Sequence, residues 1–184
     1  VVGTYRLLNY SSLNTDISLY TETEFNLKKL KKEKPKILEA GRSCVDKNYR
    51  DGRIIRLLWR GLSEYIVQKN IDYIIGCASF QGNNIEKVSE RLSYLHHYHL
   101  APKKIRSQPL KQKSIHWTII PKKKIKPFEV FKKLPPLIKA YLRVGSWIGK
   151  GAIIDKEFNT IDVCIILKRD NISSKYLNMS KKKK

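Results

Sequence analysis

Carboxylates are scarce in this 184-residue sequence: 16 Asp and Glu stand against 38 Lys and Arg, leaving a formal charge of +22. A field of that sign favours acidic partners, whether nucleic acid, an anionic membrane surface or an acidic carrier protein. Lys-rich runs are equally the ordinary solvated face of a biased composition, so charge alone leaves the partner open. The excess is clustered at Lys28 to Lys36, Lys103 to Arg106, Lys122 to Lys126 and Lys181 to Lys184, flanking apolar segments. Long apolar runs are missing: none approaches the roughly 18 residues that cross a bilayer. No signal-like stretch precedes the first strand. The expectation is a soluble cytoplasmic protein, or one peripheral on the inner face of the cell membrane. Cysteine is limited to Cys44, Cys77 and Cys164, an odd set without metal-ligand or CxxC spacing, and reduced, buried thiols are expected. His96, His97 and His99 cluster, but positions i, i+1 and i+3 of a helix do not converge on one ion. No metal site is expected.

What is present suffices for one core, since 41% of the residues are apolar. One domain over 1–170 and a basic polar tail over 171–184 are expected. Val1 to Leu8 reads as a strand already in progress, so a preceding portion of the fold is expected to be missing. Ile37 to Val45 is a second strand, bounded by Pro35. A polar turn, Asp46 to Gly52, leads to a helix whose apolar stripe is Ile54, Ile55, Leu57, Leu58, Leu62, Tyr65 and Ile66. Ile71 to Ser79 is a continuous apolar strand of the kind buried on both faces. Asn83 and Asn84 can cap a helix over Ile85 to Leu100, Ser114 to Ile120 reads as a strand, and Ile161 to Leu167 as the last one. Pro127 to Val144 is helical but divided at Pro135-Pro136, which removes two amide donors.

The informative unit is the strand, basic turn and helix from Ile37 to Leu58. Unpaired N–H groups, the positive end of a helix dipole and the arginines meet there, an arrangement suited to phosphate. Many α/β proteins use the same unit for packing alone, so two readings stand.

The residues of this unit resemble the acyl-thioester element of the GNAT acyltransferases. In that pattern Gln or Arg is followed at the third and fifth positions by small residues; starting from Arg50, this chain has Arg53 and Ile55 there, with Gly52 one position early. The departure argues against a pyrophosphate-bearing donor and implies acyl carrier protein in place of coenzyme A. A narrower resemblance is to the L-ornithine N-alpha-acyltransferases of ornithine-lipid synthesis and the hemolysin-like acyltransferases. It is carried by Gly3-Thr4-Tyr5-Arg6, Gly41-Arg42-Ser43-Cys44-Val45 with Tyr49-Arg50-Asp51-Gly52, Leu57-Leu58-Trp59-Arg60-Gly61, Gly76-Cys77-Ala78-Ser79-Phe80, Leu134-Pro135-Pro136-Leu137 and Asp155 to Phe158 with Asp162-Val163. It implies an α/β (α+β) fold with a mixed, mostly antiparallel sheet flanked by helices, without its N-terminal strands and helices. It also implies transfer of a 3-hydroxyacyl group to L-ornithine, with acyl-acyl carrier protein as cosubstrate and no bound cofactor.

Acyl transfer to an amine needs a neutral nitrogen, a polarised thioester carbonyl and a proton for the leaving thiolate. Glu39 is the candidate proton acceptor; the alternative is a structural pair with an arginine such as Arg42. The resemblance assigns the backbone N–H groups of Cys44 and Val45 to the carbonyl. It assigns Arg42, Arg50, Asp51, Gly52, Arg53 and Ser79 to the donor, and Asp155 and Asp162 to the acceptor. Ser79 could equally close an ordinary strand-end hydrogen bond, and the two aspartates could satisfy nearby Lys or Arg. Acyl-homoserine-lactone synthesis is a close variant. A nucleic-acid-binding protein is the rival from charge, with pI ≈ 10.0 and ten Tyr, but no recognisable binding motif is present and no nucleic acid partner is expected.

Overall fold

A computed structural model describes residues 1–13 and 17–172. Its elements are β1 (Gly3–Tyr10), β2 (Phe25–Asn26), α1 (Lys28–Lys31), β3 (Ile37–Val45), α2 (Arg53–Gln68), β4 (Tyr73–Gln81), α3 (Ser89–Tyr98), β5 (Gln108–Pro109), α4 (Pro127–Lys133), α5 (Pro136–Arg143), β6 (Trp147–Ile148), β7 (Ile153–Asp155) and β8 (Thr160–Lys168). The main sheet runs β1-β3-β4-β8-β6, with β7 also on β8. Every pairing is antiparallel except β3 with β4. This is the mixed, mostly antiparallel, helix-flanked sheet expected from the resemblance.

Period-two alternation sorts the sheet into two faces. One face presents Ile37, Ile75, Cys164 and Ile166 to Leu19, Phe25, Leu27, Leu30, Ala101 and Ile105. The segment from Leu19 to Lys31 thus lies across the sheet as a strap. On the other face, Leu38, Ala40, Ile74 and Leu167 meet Leu62 and Ile66 of α2, while Ala78, Phe80, Val163 and Ile165 meet α3, α4 and α5. β4 and β8 are covered on both sides, which is why they read as unbroken apolar runs.

Prolines set the helices after residue 126. Pro127 and Pro136 occupy first-turn positions, where no amide donor is needed, so the Pro135-Pro136 step separates α4 from α5. The expected helix over Ile85 to Leu100 is shorter: a 3-10 turn, Glu86–Val88, leads into α3, with Asn84 Oδ1 accepting from the Lys87 N–H. Ser114 to Ile120 is not a strand. Only Ser114 bridges, to Ile153, and Ile115, Trp117 and Ile120 pack on the core from an irregular loop. β7 already serves as the partner of β8 there and is too short to hold another strand. Cys44 is exposed, not buried, because its position on β3 faces away from the core; Cys164 is buried and Cys77 intermediate. The expected tail over 171–184 lies outside the described residues from 173 onward.

Candidate active site

β3 and β4 pair only from Ile37 with Tyr73 to Glu39 with Ile75, and then diverge. They touch last at Gly76: a Cβ there would lie 2.5 Å from the Ala40 carbonyl oxygen. Beyond this point β3 has a partner only in β1, and a bulge sets Arg42 and Ser43 opposite Tyr5. Arg42 is in the left-handed region, φ 52°, a strained backbone for a residue with a side chain and one often found at functional sites.

The divergence opens a cavity of about 360 Å³ that passes through the sheet. Its α-helical side is aromatic and apolar, with Tyr5, Leu137 and Tyr141; the Tyr5 and Tyr141 hydroxyls are 2.9 Å apart. Its strap side is polar, with Tyr20, Thr21, Glu39, Ser79, Asp155, Thr160 and Asp162. The polar set follows from the alternation already described. Glu39 lies two residues past Ile37, Cys77 and Ser79 lie two and four past Ile75, Asp155 lies two past Ile153, and Asp162 lies two before Cys164. Arg42 stacks on Tyr20 of the strap (5.4 Å) and on Phe158 of the β7–β8 turn (5.6 Å), joining the two walls of the mouth.

Glu39 is 2% exposed. One carboxylate oxygen accepts from the Thr21 N–H and hydroxyl, each at 2.6 Å, and the other accepts from the Tyr20 N–H at 3.0 Å and faces Arg6 at 3.5 Å. The arginine beside it is therefore Arg6, and its hydrogen bonds hold the strap turn. Unengaged carboxylate oxygen lies beside it, on Glu24 and Asp162. Glu24, Asp155 and Asp162 bring carboxylate atoms within 4.8 Å of one another, the one such grouping of three potential ligand residues among the described residues. Glu24 and Asp162 are 2% and 5% exposed, yet Glu24 Oε2 and Asp162 Oδ1 have no hydrogen-bond partner. Glu24 Oε1 accepts from the Tyr20 hydroxyl at 3.0 Å. Burial raises the Glu24 and Asp162 carboxyls above the ordinary range, with Asp162 adding to the effect on Glu24. Burial also raises the Tyr20 and Cys77 groups beside them, with Glu24 contributing to both. A carboxyl raised by folding contributes stability that is complete below its unfolded value and lost as pH rises through its folded value. Glu24→Gln is accordingly expected to stabilise the protein by about 1–2 kcal/mol near pH 8 and to change little near pH 4, as read by thermal melting at the two pH values.

The expected site residues do not all converge. Glu39, Arg42, Ser79, Asp155 and Asp162 line the cavity; Cys44, Val45, Arg50, Asp51, Gly52 and Arg53 do not. Cys44 and Val45 end β3, Arg50 to Gly52 lie in the turn ahead of α2, and Arg53 is the first residue of that helix. Gly52 has φ 89°, the Arg50 Nε donates to the Val45 carbonyl at 2.9 Å, and the Asp51 carboxylate accepts from the Arg53 N–H at 2.9 Å and Nε at 2.6 Å. These donors hold the Asp51 carboxyl below its usual range, so an anion of the chain itself sits at the start of α2. Glu24 belongs to no motif or strand period in the sequence and joins the site only through the strap. The histidines are elsewhere: His97 Nε2 is 2.8 Å from the Ile120 carbonyl and His99 Nε2 is 3.0 Å from the Tyr94 hydroxyl.

Residues 1–60 match the family model described as "Acetyltransferase (GNAT) domain". Curated relatives share the match along almost the whole chain. The L-ornithine N(alpha)-acyltransferase of Brucella abortus is 38% identical over 97% of this chain and 64% of its own length. That of Rhodobacter capsulatus is 34% identical over 96% and 67%, and that of Agrobacterium fabrum is 36% identical over 97% and 61%. The chain therefore spans about two thirds or less of the length of these relatives. No solved structure matches it. With the divergent β3–β4 pair, the mixed sheet and these relatives together, the chain belongs to the GNAT superfamily of acyltransferases.

Proposed function

We propose that the protein transfers a 3-hydroxyacyl group from acyl carrier protein to the α-amino group of L-ornithine, giving lyso-ornithine lipid. The observation that carries this reading is the cavity through the sheet, apolar at one end and acidic at the other. An acyl thioester enters from the α2 and α5 side and an amino acid with two ammonium groups enters from the strap side. The reacting carbonyl lies where β3 and β4 part, with the β4-facing edge of β3 open there as a source of N–H donors while β1 pairs the other edge. The ornithine-specific names of the relatives support the acceptor.

Asp51 at the start of α2 supports a donor without a pyrophosphate, since a second anion there meets like charge. The charge of +22 speeds encounter with an acidic carrier protein and suits an amphiphilic product released at an anionic leaflet. No helix among the described residues is long and apolar enough to cross a membrane.

Incubation of the protein with 3-hydroxyacyl carrier protein and ornithine is expected to yield acyl-ornithine by mass; an acyl-homoserine lactone, or no product, overturns the reading. Asp155, half-buried at the mouth, meets the side-chain ammonium. Asp155→Ala is therefore expected to raise KM for ornithine about tenfold with kcat little changed, seen in steady-state kinetics.

A further inference from the structure

Glu24 and Asp162 have a feature that acceptor binding alone does not use. Both are more than nine-tenths buried, and each keeps an oxygen that no donor meets in hydrogen-bonding geometry, although the Thr160 and Ser79 hydroxyls stand close enough to Asp162 to offset part of the effect of its burial. An isolated charged pair in such a place is costly, so two adjacent carboxylates hold a proton between them or meet a cationic ligand. Asp162 stands directly opposite Ser79 in the β4–β8 register, at the polar mouth of the split. Glu39, by contrast, already accepts three hydrogen bonds and faces Arg6. No histidine or lysine lines the cavity among the described residues.

We infer that Glu24 and Asp162 form one proton-accepting pair that neutralises the attacking ammonium, with Glu39 acting as a positioning residue for the strap. The inference rests on the reading of the site as one that acylates an amine. An ammonium proton passes to Asp162 Oδ1, and the nitrogen lone pair forms the C–N bond at the thioester carbonyl. The C–S bond then breaks with its electrons on sulfur. The second proton lost by nitrogen goes to the thiolate, and the pair returns its own proton to solvent. The groups facing the pair are the Tyr20 hydroxyl from the strap, Cys77 and Ser79 from β4, Asp155 from β7, and Thr160 and Cys164 from β8. Lys113 and Lys156 line the adjoining cleft beside Glu24.

The test is the pH dependence of kcat/KM for the wild type, Asp162→Asn, Glu24→Gln and Glu39→Gln, beside a carbon-13 NMR titration of the carboxyl groups without substrate. Asp162→Asn is expected to lose about 100-fold in kcat/KM. Glu24→Gln is expected to lose about tenfold and to move the acidic limb to lower pH, because a like charge has left Asp162. In the titration the two carboxyls should ionise as a coupled pair, and Asp162→Asn should lower the midpoint of Glu24. Should Asp162→Asn fail to fold, the Glu24→Gln profile decides. Activity within threefold of wild type in a folded Asp162→Asn, or an acidic limb abolished only by Glu39→Gln, overturns the proposal. Tight binding of Mg²⁺ or Ca²⁺ that Asp162→Asn removes also overturns it, making the cluster a cation site. A wild type that forms no acyl-ornithine yet shows the coupled titration refutes the substrate reading and leaves the proton-sharing pair standing.

Discussion

Glu39→Ala is expected to destabilise the protein by about 3–5 kcal/mol, because a buried N–H, a buried hydroxyl and a partly buried N–H lose their acceptor at once. Among the described residues no other side chain accepts from both Tyr20 and Thr21. Loss should begin locally, so limited proteolysis of Glu39→Ala is expected to cut first between Leu19 and Lys31, before the sheet opens. Glu39→Gln keeps a carbonyl oxygen for part of the network and should recover half or more of the stability. Both are measured by denaturant unfolding with a protease time course. Equal losses in Ala and Gln, with no preference of the protease for the strap, would remove the positioning role.

Gly76→Ala should cost about 3 kcal/mol. The added methyl would meet the Ala40 carbonyl oxygen at 2.5 Å, and that oxygen belongs to backbone that cannot rotate away. β3 and β4 must then separate earlier, near Ile75. That change widens the split toward the core, and activity should fall further than stability alone explains. Gly61, whose Cβ position is open, is the control: Gly61→Ala on exposed α2 should be neutral or slightly stabilising. Melting temperatures of the two variants give the comparison.

Much of this fold is legible in the residues. β3, β4 and β8 show strand-length apolar runs, α2 shows its stripe except that Leu57 is exposed and Trp59 packs on the core instead, and the proline pair marks the gap between α4 and α5. What escaped is structure that exists only because a distant partner supplies it. β6 and β7 are two and three residues long and are held by β8. The strap has its apolar residues scattered through a basic segment, at Leu19, Phe25, Leu27 and Leu30, without a helical or strand period long enough to read. The site divides the same way. Glu39, Ser79 and Asp162 share a face because each is an even number of residues from a core position on its own strand, and that arithmetic is available from the sequence; Asp155 joins them from β7, a strand no local pattern announces. Glu24 arrives from the strap, and nothing local separates it from Glu22 two residues earlier. The side of Glu39 that meets Arg6, and not Arg42, depends on the β1–β3 bulge, which no local pattern announces.

The central place of β8 has a consequence for how the protein is made. Its partner β4 ends at Gln81, whereas β8 closes at Lys168. At ribosomal speeds the roughly 90 residues between them take about 4–18 s to emerge. Through that interval the inner edge of β4 is an open template, with Ile74, Ile75 and Phe80 beside it, and edges of that kind recruit foreign strands. Asp162 is delivered by the same late strand. An unfinished chain therefore carries the binding split without one of its buried acids, and co-translational chaperones have the greatest hold on it at that stage.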